Sequence, residues 1–157
     1  MTATPTTVAD ILKIGIQREI ESQRLYTDLG QKVSNPAAKH AFSMLFKEEQ
    51  RHQEILEKYL KGGIGEGALE ISHVVNYHIA EHSKQSEPTL GMKLPAIFLI
   101  AANRERQANE FYVSLAAIHP PGQTRMLLEK LAAEELGHKL KVETIYTEVA
   151  FPQTDGG

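Results

Sequence analysis

Apolar residues recur at intervals of three and four through four long stretches of the chain, and the pattern predicts four helices. In the first, residues 7–32, one face is made by Ile11, Leu12, Ile16, Leu25 and Leu29. The second opens at Asn35-Pro36, an asparagine that can cap followed by a proline suited to a first turn. It continues through Phe42, Leu45, Ile55, Leu56 and Leu60 and stops at Gly62-Gly63. The third spans 95–118. The fourth follows the turn His119-Pro120-Pro121-Gly122 and runs to about residue 149. The tail, 151–157, is expected to fray.

The connections set the arrangement. Short links between helices one and two and between three and four predict two antiparallel hairpins. The segment 62–94 is long. A helix of ~25 residues measures roughly 37 Å at ~1.5 Å per residue, and this segment can span that length. It would let helices two and three run parallel, giving an all-α four-helix bundle with one long crossover. A short helix is expected at 71–82 within it. The glycines of 62–67 lack the lysine and following Ser/Thr of a phosphate loop and read as a flexible start to the crossover. The whole, 1–157, reads as one domain with repeat halves at 7–61 and 95–150.

Polar residues interrupt the inward stripes in a repeated way. Helix two reads Leu45, Glu49, His52, Leu56, and helix four reads Leu131, Glu135, His138, Val142. Helix one reads Leu12, Ile16, Glu19, Tyr26, Leu29, and helix three reads Phe98, Ala101, Glu105, Tyr112, Leu115. Each polar residue of the first half has its counterpart 86 positions on, as do Arg18 with Arg104 and Glu48 with Glu134. The two hairpins should therefore face each other across an approximate two-fold axis. Four carboxylates and two imidazoles then point inward at mid-helix. Buried carboxylates cost on the order of several kcal/mol each unless compensated, and no lysine or arginine shares these stripes at that depth. Two divalent cations would balance the charge. Such a donor set belongs to a dinuclear site in a bundle core, and its oxygen-rich character suits iron or manganese.

Composition narrows the chemistry. There is no cysteine, which excludes disulfides, thiolate zinc and iron–sulfur ligation within this chain. A net charge of −3 without a long basic run argues against nucleic acid or an anionic membrane as partner. No stretch is long and apolar enough to span a bilayer, and residues 1–10 do not read as a signal peptide, so a cytoplasmic location is expected. Glu21, Glu48, Glu54, Glu110 and Glu134 read as solvated or salt-bridged. His78 and His82 could form a second metal site, but an exposed crossover face is the preferred reading. His40, His73 and His119 read as ordinary polar positions, and Met44, Met92 and Met126 as packing residues.

With Glu19-Ile-Glu-Ser-Gln-Arg-Leu-Tyr26 and Glu49-Gln-Arg-His52 in place, the chain resembles the rubrerythrin family of the ferritin-like di-iron superfamily over nearly its whole length. The resemblance implies a ferritin-like bundle and two iron ions. Glu19 and Glu105 would be terminal ligands, Glu49 and Glu135 bridges, and His52 and His138 would each bind one ion. Tyr26 and Tyr112 would hold ligand carboxylates by hydrogen bonds. It also implies an oxidoreductase that reduces hydrogen peroxide or dioxygen, working as a homodimer. The alternative is an iron-handling protein with ferroxidase activity. Two departures stand out: without cysteines, electrons must come from an external electron-transfer protein, and Ala108 occupies the position of a further glutamate typical of rubrerythrins.

Overall fold

The computed structural model describes residues 7–62, 64–75 and 91–150. Four helices carry the chain: α1, Val8–Lys32; α2, Pro36–Leu60; α3, Leu94–Ala117; and α4, Gln123–Ala150. Each lies within a residue or two of its expected span. Local chemistry explains the boundaries. Thr7 and Asp10 form a reciprocal capping box at the start of α1. Asn35 Oδ1 accepts from the amides of Ala37 and Ala38, with Pro36 in the first turn of α2. Beyond α2, Gly62 takes φ of +90°, which a side-chain-bearing residue would resist.

The helices pair as two hairpins, α1 with α2 and α3 with α4, and the hairpins meet as α1 against α3 and α2 against α4. Cross-hairpin contacts fix the directions. Tyr26 reaches Glu105 while Tyr112 reaches Glu19, so α1 and α3 are antiparallel. His52 reaches Glu134 while His138 reaches Glu49, so α2 and α4 are antiparallel. It follows that α2 and α3 run parallel, as the long crossover anticipated. Matched amides stitch the hairpins internally: Gln23 Nε2 donates to Gln53, and Asn109, 86 positions on, donates to the Ala132 carbonyl.

The described part of the crossover, 64–75, lies against the bundle end where α1 and α4 begin. Val8 and Ala9 donate their amides to the carbonyls of His73 and Ile71, and Thr7 bridges to Val74. The helix expected at 71–82 is therefore absent from 71–75, whose backbone instead satisfies the open N–H groups of α1. The rest of that span, with His78 and His82, lies outside the described residues, as does the tail 151–157. His119 also departs from expectation. It is buried, its Nδ1 donating to the Leu115 carbonyl and its Nε2 accepting from the Tyr59 hydroxyl, which in turn accepts from the Leu69 amide. This relay pins the crossover to the ends of α2 and α3. Among the described residues no helix is long and apolar enough to cross a membrane.

The core is split in two. One apolar cluster includes Ile11, Leu12, Leu56, Phe111 and Leu128. The other, toward the opposite end, includes Leu29, Phe42, Ile97, Phe98 and Val142. By position along all four helices, the charged cluster falls between them.

Candidate metal centre

All six residues singled out by the repeat converge in that middle layer. Glu19, Glu49, His52, Glu105, Glu135 and His138 are buried, Glu49, His52 and Glu135 completely. Helical periodicity places them: Glu49 and His52, like Glu135 and His138, stand one turn apart on an inward face. Nδ1 of His52 lies 2.6 Å from Glu135 and 3.8 Å from both Glu19 and Glu49. Nδ1 of His138 lies 2.7 Å from Glu49, 3.6 Å from Glu135 and 3.7 Å from Glu105. The two imidazoles are 5.6 Å apart and nearly parallel.

Two four-residue groups emerge, each able to hold one cation. One comprises Glu19, Glu49, His52 and Glu135; the other comprises Glu49, Glu105, Glu135 and His138. Glu49 and Glu135 belong to both, the positions from which a carboxylate can bridge. Tyr112 donates its hydroxyl to Glu19 over 2.8 Å, and Tyr26 donates to Glu105. Each tyrosine thus crosses from one hairpin to fix an outer carboxylate of the other.

The donor atoms themselves test the fit of a metal. Glu19 Oε2, Glu49 Oε2, His52 Nδ1, Glu105 Oε2 and both Glu135 oxygens are buried without a hydrogen-bond partner. The short His52–Glu135 approach is not aligned as a hydrogen bond. Unsatisfied buried polar atoms are rare in folded proteins and call for an explanation. Here they gather at one place with the oxygen–nitrogen chemistry that divalent cations take, and the residues fit two such ions.

The electrostatics agree. Burial, then neighbouring carboxylates, pushes the carboxyls of Glu19, Glu49 and Glu135 well above the usual range. Burial is the largest single influence on Glu105 and would raise it, but His138, Glu135 and Tyr26 beside it together hold that carboxyl below the usual range. His138 is held up by the Glu105 carboxylate against burial, whereas burial pushes His52 down. Burial, then the carboxylates beside them, raises both tyrosine hydroxyls well above their ordinary value, keeping them protonated donors.

Glu134 does more than its reading as a salt-bridged residue required. It is salt-bridged to Arg51, as its reading allowed, but its carboxylate also lies 2.8 Å from His52 Nε2. The repeat had marked it as the partner of Glu48; what the stripe could not show is that it reaches across to α2. Glu48 and Glu21 are ion-paired, to Arg51 and Arg104, and Glu110 to Arg106.

Comparison with known proteins points the same way. The family model for rubrerythrin matches residues 1–60, the half bearing Glu19, Tyr26, Glu49 and His52. The internal repeat carries the same pattern into the half beyond. Among curated proteins none matches the sequence. Two solved structures share the fold. One, from Thermotoga maritima, is described as a candidate ferritin-like diiron-carboxylate protein; it is 20% identical with a TM-score of 0.77, covering 94% of this chain and 99% of that one. The other is a hypothetical protein from Pyrococcus furiosus, 22% identical with a TM-score of 0.72, covering 94% of this chain and 93% of that one. The fold is a ferritin-like four-helix bundle, and its middle layer is a buried carboxylate–histidine cluster able to hold two metals.

Proposed function

We propose that the cluster is a dinuclear iron centre and that the protein is an oxidoreductase, reducing hydrogen peroxide or dioxygen with electrons from an external electron-transfer protein. The observation that carries this reading is the pair of overlapping four-residue groups sharing Glu49 and Glu135. Glu19, Glu49, Glu135 and His52 would hold one ion, and Glu105, Glu49, Glu135 and His138 the other. Bound iron would supply two electrons per turnover, one from each ion.

The chain's own residues perform the remaining tasks. Tyr26 and Tyr112 hold one oxygen each of Glu105 and Glu19, leaving the second oxygen directed inward. This fixes the outer carboxylates before metal arrives. The apolar clusters on either side exclude bulk water, so charge changes at the centre are felt strongly. The tyrosine hydroxyls, kept protonated by their surroundings, act as fixed hydrogen-bond donors to the outer carboxylates.

Metal analysis of protein grown with ample iron is expected to give about two ions per chain under the bridging arrangement. The reduced protein is expected to be reoxidised by peroxide over repeated turnovers when a chemical reductant is supplied. Two bound irons without sustained peroxide or dioxygen consumption would overturn the oxidoreductase reading in favour of iron handling. A chain that takes up no iron would overturn both.

A further inference from the structure

The 86-residue repeat pairs His52 with His138, Glu134 with Glu48, and Arg51 with Gly137. Were the two halves equivalent, each histidine would be backed by a glutamate of the facing helix and each glutamate by an arginine. Only one half is built this way. His52 Nε2 lies 2.8 Å from Glu134, and Arg51 clamps that carboxylate. The bond places the imidazole proton on Nε2 and turns the Nδ1 lone pair toward the centre.

On the other half the support is missing. Arg51 also draws Glu48, with contacts of 3.1 and 3.3 Å, and so holds it on the His52 side. Among the described residues His138 Nε2 makes no hydrogen bond. Gly137, where an arginine would complete the symmetry, is exposed, and a side chain built there would meet nothing within 4 Å. The His52 side chain is wholly buried, whereas that of His138 is 11% exposed.

From this we infer that the two metal positions are unequal. The His52 position fills first and holds tightly; the His138 position is the one through which metal enters and leaves, and Glu134 is the positioning residue that separates them. The inference rests on the dinuclear reading above. Its physical basis is the motion each histidine needs to release an ion. His52 must break a charge-assisted bond inside packed surroundings. His138 has only to rotate beside an open helix surface.

The test uses metal-free full-length protein with Mn(II) or Co(II), ions that bind without turnover, followed by calorimetry and by release into a chelator. The wild type is expected to show two classes of site, separated by about tenfold or more in affinity and release rate. Glu134→Ala is expected to weaken the tight class by about 10–100-fold, with Glu134→Gln, which keeps an acceptor, falling between. Glu48→Gln is expected to leave both classes near wild type. Gly137→Arg, directed at open surface, is expected to slow the fast class. Circular dichroism confirms that each variant is folded, and the wild-type measurement stands whether or not a variant folds. Two equal sites in the wild type, or equal losses from Glu48→Gln and Glu134→Gln, would overturn the inference while leaving the dinuclear centre intact. No uptake of either ion would overturn the dinuclear centre itself.

Discussion

A carboxylate oxygen buried without a partner must be neutralised, and a proton is the only alternative to a metal within the cluster. Glu19, Glu49 and Glu135, whose carboxyls are pushed well up, hold protons in the metal-free protein to higher pH than they would in an unfolded chain. Groups raised on folding add stability that is fully present below their unfolded value and lost as pH rises through the folded one. His138, also raised, acts in the same sense. His52 is lowered and acts oppositely, but only below its unfolded value near 6.5. Above that, every contribution has one sign. The melting temperature of the metal-free protein is therefore expected to fall as pH rises above about 6.5. The gain in melting temperature on adding Mn(II) is expected to grow over the same range, because binding must displace those protons. Scanning calorimetry with and without metal checks both slopes, and a flat metal-free profile would contradict the burial argument.

Two helical glycines show how packing decides the outcome of the same substitution. At Gly15 a Cβ would lie 2.8 Å from the Phe111 ring and 2.9 Å from Leu56, where α1 meets both α2 and α3. Gly15→Ala recovers about 0.5–1 kcal/mol of helix propensity but overpacks the core at a cost of about 1–3 kcal/mol, so it is expected to destabilise. Gly137 has open space around it, so Gly137→Ala is expected to stabilise by about 0.5–1 kcal/mol. Paired denaturant titrations should show the two shifts with opposite signs. The same contrast explains what could be read in the sequence. The helices and six inward site residues were legible because burial on a helix leaves a period that a single chain displays. Glu134 was not placed, since its partner His52 sits on another helix and no period records a contact between them. The 71–75 segment was misread because its backbone answers the open amides of α1, a tertiary demand that local apolar spacing does not carry. His119 reads as an ordinary polar position, yet the Leu115 carbonyl and Tyr59 hydroxyl satisfy it in the interior.

The two hairpins differ on their outer faces. Leu99 and Val113 on α3, and Met126, Leu136 and Leu140 on α4, are half or more exposed, whereas among the described residues of the α1–α2 hairpin only Met44, at 45%, comes near. Exposed apolar side chains concentrated on one hairpin suit association with a second copy. The wild type is expected to elute as a dimer in size-exclusion chromatography and Leu136→Glu with Leu140→Glu as a folded monomer, since neither residue contributes to the core; a monomeric wild type, or an unchanged elution volume in the variant, would contradict association through α4. Within one subunit, a different joint matters more. Each four-residue group draws on both hairpins: one combines α1 and α2 with α4, the other α3 and α4 with α2. Neither hairpin can complete a metal site alone, so cation binding and hairpin docking are a single linked equilibrium. A ligand that binds only the docked form adds about 2.7 kcal/mol when its free concentration is 100 times its dissociation constant. The fraction of chains that stay assembled then depends on how much free metal surrounds them. The centre that would carry out the redox chemistry also makes the persistence of the fold a gauge of the metal supply.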